Sequence, residues 1–163
     1  MRQILELLER DATLTPDTLA TMTGLPVEEV RAQISAWERS GAIRRYRAVV
    51  DWDAVDDDPT RETVTAFIDV SITPARGVGF DDVAGRIARF DEVRSVYLVS
   101  GSQDLRCTVT APTIRAVSDF VSQKLSTIDR VRSTATHFVL KTYKRDGDAF
   151  QTPEPDHRLP VTP

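Results

Sequence analysis

Apolar positions near the start of the chain recur at helical spacing. Ile4, Leu5, Leu7 and Leu8 make one amphipathic turn after another, and Leu19, Ala20 and Met22 give a second, shorter segment an apolar side. Val27, Val30, Ile34 and Trp37 then form a longer stripe. The boundaries between these segments carry their own chemistry. Thr15-Pro16-Asp17 offers a cap oxygen, a proline at the first helical position and an acid at the positive helix end. Thr23-Gly24 stops that helix, the next starts near Pro26, and Gly41 ends it. From Ile43 to Trp52 the residues IRRYRAVVDW are β-branched, aromatic and basic, which predicts a strand and a short wing or hairpin beside the helices.

After an acidic, Pro-containing interruption the period changes to two. Val64, Ala66, Ile68, Val70 and Ile72 alternate strictly, so a strand with one apolar face is expected. Phe80, Val83, Ile87 and Phe90 return to helical spacing. VRSVYLVS and LRCTVTA are then two strands joined at Gly101-Ser102-Gln103-Asp104. Ile114, Val117, Val121, Leu125 and Ile128 make another helix, and Val131 to Tyr143 a last strand. Strand, helix, strand, strand, helix, strand in that order is a ferredoxin-like βαββαβ sandwich, an antiparallel sheet with both helices on one face. The chain is therefore expected to be α+β, an N-terminal winged helix-turn-helix followed by this sandwich. On the uncovered sheet face we expect Phe67, Val96, Leu98, Phe138 and Leu140, a candidate subunit interface.

The domains predicted are 1–50, helix-turn-helix; 51–62, linker; 63–145, sensing and oligomerisation; and 146–163, a disordered tail poor in apolar periodicity. In 163 residues there is one cysteine, Cys107, and only His137 and His157 as imidazoles. That excludes an internal disulfide and predicts neither a metal nor a cofactor. No apolar run spans a bilayer and the first residues are amphipathic, so a cytoplasmic protein with no membrane partner is expected.

Charge changes the picture most. The chain carries a formal net charge of -4, yet between Arg31 and Arg47 it has five arginines and one acid, Glu38. Phosphate neutralisation needs cations gathered on one surface, and this segment gathers them. Candidate DNA contacts are Arg31, Gln33, Ser35 and Arg39 on the second helix of the motif, with Arg44, Arg45 and Arg47 on the strand that follows. Helix-helix-strand modules with an arginine edge also serve as protein docking units, and charged helix faces are often merely solvated.

LATMTGLPVEEVRAQISAWERSGAIRRYRAVVD, VRSVYLVSGSQDLRCTVTAP with Gly101 and Asp104, and VRSTATHFVLKTYK with Thr134 and Thr136 together resemble the Lrp/AsnC family, the leucine-responsive or feast/famine regulators. The resemblance covers roughly residues 3–145. The chain departs from the family pattern at Pro26, at Ser35-Ala36 and at Arg130, where serine, a basic pair and glycine are usual. What the resemblance implies is a transcription regulator of double-stranded DNA whose sensor domains form homodimers and then higher assemblies, commonly octamers. An amino acid or related small molecule would bind between dimers. The turn Ser100, Gly101, Ser102, Gln103, Asp104 would offer backbone donors to a carboxylate and the Asp104 carboxylate to an ammonium, with Thr134 and Thr136 adding hydroxyls if the last strand lies beside that turn.

Two other functions compete. A ligand sensor that has lost DNA binding fits the Ser35-Ala36 departure. A tetrapyrrole decarboxylase family shares the two-part layout, but its chemistry wants histidines and arginines lining a large pocket and only His137 is in the folded region. Cys107 with His137 on neighbouring strands is a separate candidate nucleophile and base, and no phosphate loop, carboxylate pair or serine triad is present.

Overall fold

The computed structural model describes residues 1–52, 54–55, 63–73 and 79–150. The chain divides into two compact units, Met1–Val50 and Asp51–Pro163. Most of the segment expected as a linker, 51–62, and the tail from residue 151 onward lie outside the described residues.

The first unit holds three helices, α1 (Arg2–Arg10), α2 (Pro16–Thr23) and α3 (Val27–Ser40). Ile4, Leu8, Leu19 and Val30 are buried together, and Leu7, Leu14, Leu25, Ile34, Trp37 and Ile43 pack around them. Each helix end is set by the residue the sequence offers. The Thr15 hydroxyl accepts the Thr18 amide at 3.2 Å to start α2, a cap of about 1 kcal/mol. Gly24 ends α2 at φ 71° with its own amide on the Ala20 carbonyl at 2.8 Å. Gly41 ends α3 at φ 74°, after which the Ile43 amide returns to the Trp37 carbonyl at 3.2 Å and carries Ile43 back into the core. Met22, placed on the apolar side of α2 by periodicity, is instead half exposed.

The expected wing does not form. No strand is assigned between Ile43 and Trp52, since β propensity makes a strand only where another strand completes the ladder and no described residue does so here. Beyond the Ile43 amide, the Tyr46 hydroxyl ties the segment to α3 by donating to Glu38 Oε1 at 3.1 Å.

The second unit is a four-stranded antiparallel sheet in the order β2-β3-β1-β4, formed by β1 (Val64–Ile72), β2 (Val93–Leu98), β3 (Leu105–Ala111) and β4 (Val131–Phe138). Helices α4 (Asp81–Ile87) and α5 (Ile114–Gln123) supply its helical layer. The second helix breaks into a 3-10 turn at Leu125–Thr127 rather than continuing to Ile128. Ala66, Ile68, Val70 and Ile72 meet Leu105, Cys107 and Val109 across the ladder and are buried against Val83, Ile87, Val117, Phe120 and Leu125. The period-two expectation for β1 is thus realised as one core face.

The last strand stops at Phe138, short of the expected Tyr143. Past it, β5 (Lys144–Arg145) pairs with β6 (Asp148–Ala149) around Asp146-Gly147, so the first residues assigned to the tail form a small hairpin. Arg130, where the family pattern has glycine, takes the left-handed conformation at φ 76°. That geometry costs a non-glycine residue about 1 kcal/mol or more. It is offset by the side chain, which donates to Asp82 at 2.7 Å and to the Gly79 carbonyl at 3.3 Å.

The outer sheet face differs from expectation. Val96 pairs with Cys107 and Phe138 with Ala66, so both lie on the helix side and pack against the core. Leu140 lies past the end of β4, nearly fully exposed. Phe67 does lie on the outer face, but beside Asp69, Arg106, His137, Ser95, Thr108 and Tyr97. Counting residues back from a strand end misassigned these two because the register shifts between Val93 and Ser95 and between Ser71 and Ile72. Leu105→Ala removes a fully buried side chain where β1, β3 and the helices meet. We expect it to cost about 2–5 kcal/mol, read as a lower urea midpoint for loss of the β-sheet signal.

Candidate functional site

The first candidate surface is the exposed side of α3 with the segment that leaves it. Arg31, Ser35 and Arg39 are four residues apart and share one helix stripe. Gln33 sits two residues from both Arg31 and Ser35, on the opposite flank and half-buried, so it does not join them on that stripe. Arg39, Arg44, Arg45 and Arg47 are exposed. The Arg31 guanidinium is held by Asp17 at 2.8 Å, which locks α3 to the first turn of α2. Glu38, the single acid of the basic stretch, is engaged by Tyr46, whose phenol pKa is raised by desolvation and then by the hydrogen bond to Glu38 and its charge.

The second candidate is an open concavity of about 530 Å³ on the sheet unit, lined by Asp69, Leu98, Val99, Ser100, Gly101, Ser102, Gln103 and Arg106, within the size range of small-molecule sites. Four of the residues expected from sequence, Ser100 to Gln103, line it. Asp104 does not. Its carboxylate accepts the Ile72 amide at 2.7 Å, its amide donates to Val70 and its carbonyl accepts from Val99, so it stitches the β2–β3 turn to the end of β1. The β1–β3 ladder ends at Val70 opposite Leu105, so the next amide on that edge, Ile72, is taken by the Asp104 side chain instead of a strand carbonyl.

Thr134 and Thr136 do not line the concavity either. The expectation needed β4 beside the turn, but β1 lies between β4 and the β2–β3 hairpin. Register also places Thr134 opposite Val70 and Thr136 opposite Ile68, on the helix side, whereas Asp69 and Arg106 belong to the outer face.

Asp69 and Arg106 are the residues that sequence reading missed. They face each other across β1 and β3, with Nε to Oδ1 at 2.6 Å and Nη2 to Oδ2 at 2.8 Å. The fork is bidentate, the geometry in which guanidinium and carboxylate bind most strongly. His137 Nε2 stands 3.6 Å from Asp69 Oδ2. The signal is available in the sequence, since Asp69 is the one charged residue of its strand and opposite charges favour facing positions across strands. The Ser71 hydroxyl donates to Gln103 Oε1 and fixes the turn from β1.

Cys107 and His137 are not a catalytic pair. Cys107 is on the helix side with its thiol toward the Ile68 carbonyl at 3.5 Å, and His137 is on the outer face. Burial, with the nearby Asp69 charge, pushes the thiol pKa up to about 11, which leaves it protonated and unreactive at neutral pH. Among the described residues no group of three His, Cys, Asp or Glu is placed to hold a metal ion. No helix among them is long and apolar enough to cross a membrane.

Residues 65–149 match the Lrp/AsnC ligand binding domain. The whole chain is similar to YugG, an uncharacterized HTH-type transcriptional regulator of Bacillus subtilis, with 49% identity over 161 residues, 99% of this chain and 95% of that protein. Among solved structures it is similar to a feast or famine regulatory protein of Mycobacterium tuberculosis complexed with L-methionine, with 27% identity and a TM-score of 0.68 over 92% of this chain and 96% of that one. A transcriptional regulator of Neisseria meningitidis, also complexed with L-methionine, gives 27% identity and a TM-score of 0.66 over 87% and 88%.

The Arg106 hydrogen bonds hold the Asp69 carboxyl below its ordinary pKa against the opposing effect of desolvation. The stability this contributes is fully present above the unfolded carboxyl pKa of about 3.9 and disappears as pH falls through the lower folded value. Asp69→Asn should therefore be destabilising near neutrality, with the gap to the parent closing between about pH 5 and pH 2 in urea melts. A gap that stays constant over that range would show that the pair has no such linkage.

Proposed function

The chain belongs to the Lrp/AsnC family of HTH-type transcriptional regulators, and from that premise we propose that it binds operator DNA through α3 and the arginines that follow it, and answers to an amino acid held at the β2–β3 turn. The observation that carries the DNA half is the gathering of Arg39, Arg44, Arg45 and Arg47, all exposed, beside the Arg31–Ser35–Arg39 stripe in a chain of net negative charge. Arg44, Arg45 and Arg47 supply phosphate contacts, which position the protein. Ser35, with Arg31 and Arg39 on its stripe, is the residue for base edges, which specify sequence. Gln33 contacts DNA from the other flank of α3.

The effector half rests on the concavity and on the two relatives solved with L-methionine. Among the described residues, the amides of Ser100, Gly101, Ser102 and Gln103 donate to no protein acceptor. They form a run of N–H groups suited to the effector's carboxylate. Gly101, at φ 150° with open space where a Cβ would stand, keeps the backbone accessible. Thr134 and Thr136 play no part in this version of the site, and the role of Asp104 is to hold the turn.

We place the protein in the cytoplasm with the DNA it regulates, and assign it no catalytic activity. It acts as a homodimer or larger assembly, since two copies of α3 are what reads half-sites about one helical turn apart. Phe67 and Tyr97 supply the exposed apolar area of the outer sheet face for that contact.

Gel shifts with DNA from upstream of the chain's own gene test the DNA surface. Binding should weaken steeply with salt. Arg44→Ala with Arg45→Ala should reduce the slope of log K against log salt by about 0.9 for each lost phosphate contact, with similar loss on all sequences. Ser35→Ala should instead change the ranking of sequences. Parent-like binding by the double variant at physiological salt would remove these arginines from the interface.

A further inference from the structure

The effector site proposed above takes a carboxylate on its backbone amides, and the same concavity offers a second, separate set of donors on a cationic side chain. Arg106 is half exposed there while its carboxylate partner is almost completely buried, with side-chain exposures of 51% and 10%. Both Asp69 oxygens already accept from it, through Nε and Nη2. Its remaining nitrogen, Nη1, donates to no described residue. The Asp69 fork therefore fixes the guanidinium plane and presents its third edge outward.

The rest of the lining points the same way. The Gln103 carbonyl oxygen is occupied by Ser71, which leaves the amide nitrogen with its donors to spare. Ser100 and Ser102 add hydroxyls, and only Leu98 and Val99 are apolar. The nearby acids are committed, Asp69 to Arg106 and Asp104 to the Ile72 amide. The cavity is thus rich in donors, holds an arginine whose charge is paired with Asp69 but whose Nη1 donors are uncommitted, and has little apolar wall. The relatives solved with L-methionine hold a ligand with an uncharged side chain, for which this lining gives Arg106 nothing to bind.

We propose that Arg106 is a specificity residue, that Asp69 is its positioning residue, and that the effector carries two carboxylates, one on the turn amides and one on Arg106. An acidic amino acid has that chemistry. The inference rests on the amino-acid reading of the site, but adds a residue and a ligand class that can fail independently of it. Planar bidentate recognition is what a guanidinium supplies and an ammonium does not.

Calorimetry on the full chain with L-glutamate, L-aspartate, succinate, L-methionine and L-leucine tests it. The acidic amino acids should bind at least about 10-fold tighter than methionine and leucine. Asp69→Asn with Arg106→Met removes both charges together, so that no buried carboxylate is left unpaired. It should weaken the acidic ligands by about 10-fold or more and leave the apolar amino acids within about 2-fold. Arg106→Lys keeps the charge and the fold, and should give an intermediate loss. Methionine or leucine binding as tightly as glutamate, or acidic affinities unchanged in the charge-free variant, overturns the role of Arg106 while leaving an amino-acid effector in place. Succinate binding alone keeps Arg106 as the anchor and removes the amino-acid reading. Binding of none of the five overturns both.

Discussion

Strand β1 is paired along both edges and buries Ala66, Ile68, Val70 and Ile72 on one face. Because side chains alternate, slipping either ladder by one residue would turn Asp69 and Ser71 into the helix layer and push Ile68 and Val70 out. An unpaired carboxylate in that core costs several kcal/mol, more than any single surface contact in the unit returns. The register is therefore fixed by exclusion as much as by packing. That one constraint also builds the concavity, since it sets Asp69 opposite Arg106 and brings Ser71 to Gln103.

How far the sequence could be read depends on the range of the interactions involved. Helix ends at Thr15, Gly24 and Gly41 are decided by neighbours a few residues away, and each was visible as a cap residue beside a periodic stripe. The alternation of β1 was equally plain. What could not be read was whatever depends on a partner strand. The residues IRRYRAVV have strand propensity without a ladder. Val96 and Phe138 change faces at register shifts that no local pattern announces. Thr134 and Thr136 join the turn only if the last strand lies beside it, but the sheet order puts β1 between β4 and the β2–β3 hairpin. Asp104 reads as a ligand group because a turn aspartate is polar and exposed by default, yet the end of the β1–β3 ladder gives it the Ile72 amide to satisfy.

Arg130 shows the opposite case, where a departure from the family pattern was legible and its structural consequence was not. A glycine there would adopt φ 76° freely. The arginine adopts it under strain, held by Asp82 and the Gly79 carbonyl, so the start of β4 is bound to the helical layer by a side chain that glycine lacks. Departures in α3 act differently. With Ser35-Ala36 in place of a basic pair, the positive charge of this region lies mostly at Arg39, Arg44, Arg45 and Arg47, which in the proposed DNA surface shifts the balance from base readout to phosphate neutralisation.

Coupling between the two units has to come from a difference in effector affinity between states, since a ligand that binds two states equally shifts nothing. The concavity is open and lies on the sheet unit alone, so an effector there acts on DNA binding through whatever changes the surroundings of that concavity, and assembly of further copies is the change that would enclose it. Enclosure removes water from Arg106 and the turn amides, which strengthens their hold on an anion and penalises the same groups when the site is empty. In the proposed assembly, ligand and assembly would then favour one another by linkage, with equal coupling read from either side. A site made almost entirely of donors is well matched to that role, because without an anion its enclosure is unfavourable, and with one it is stabilised.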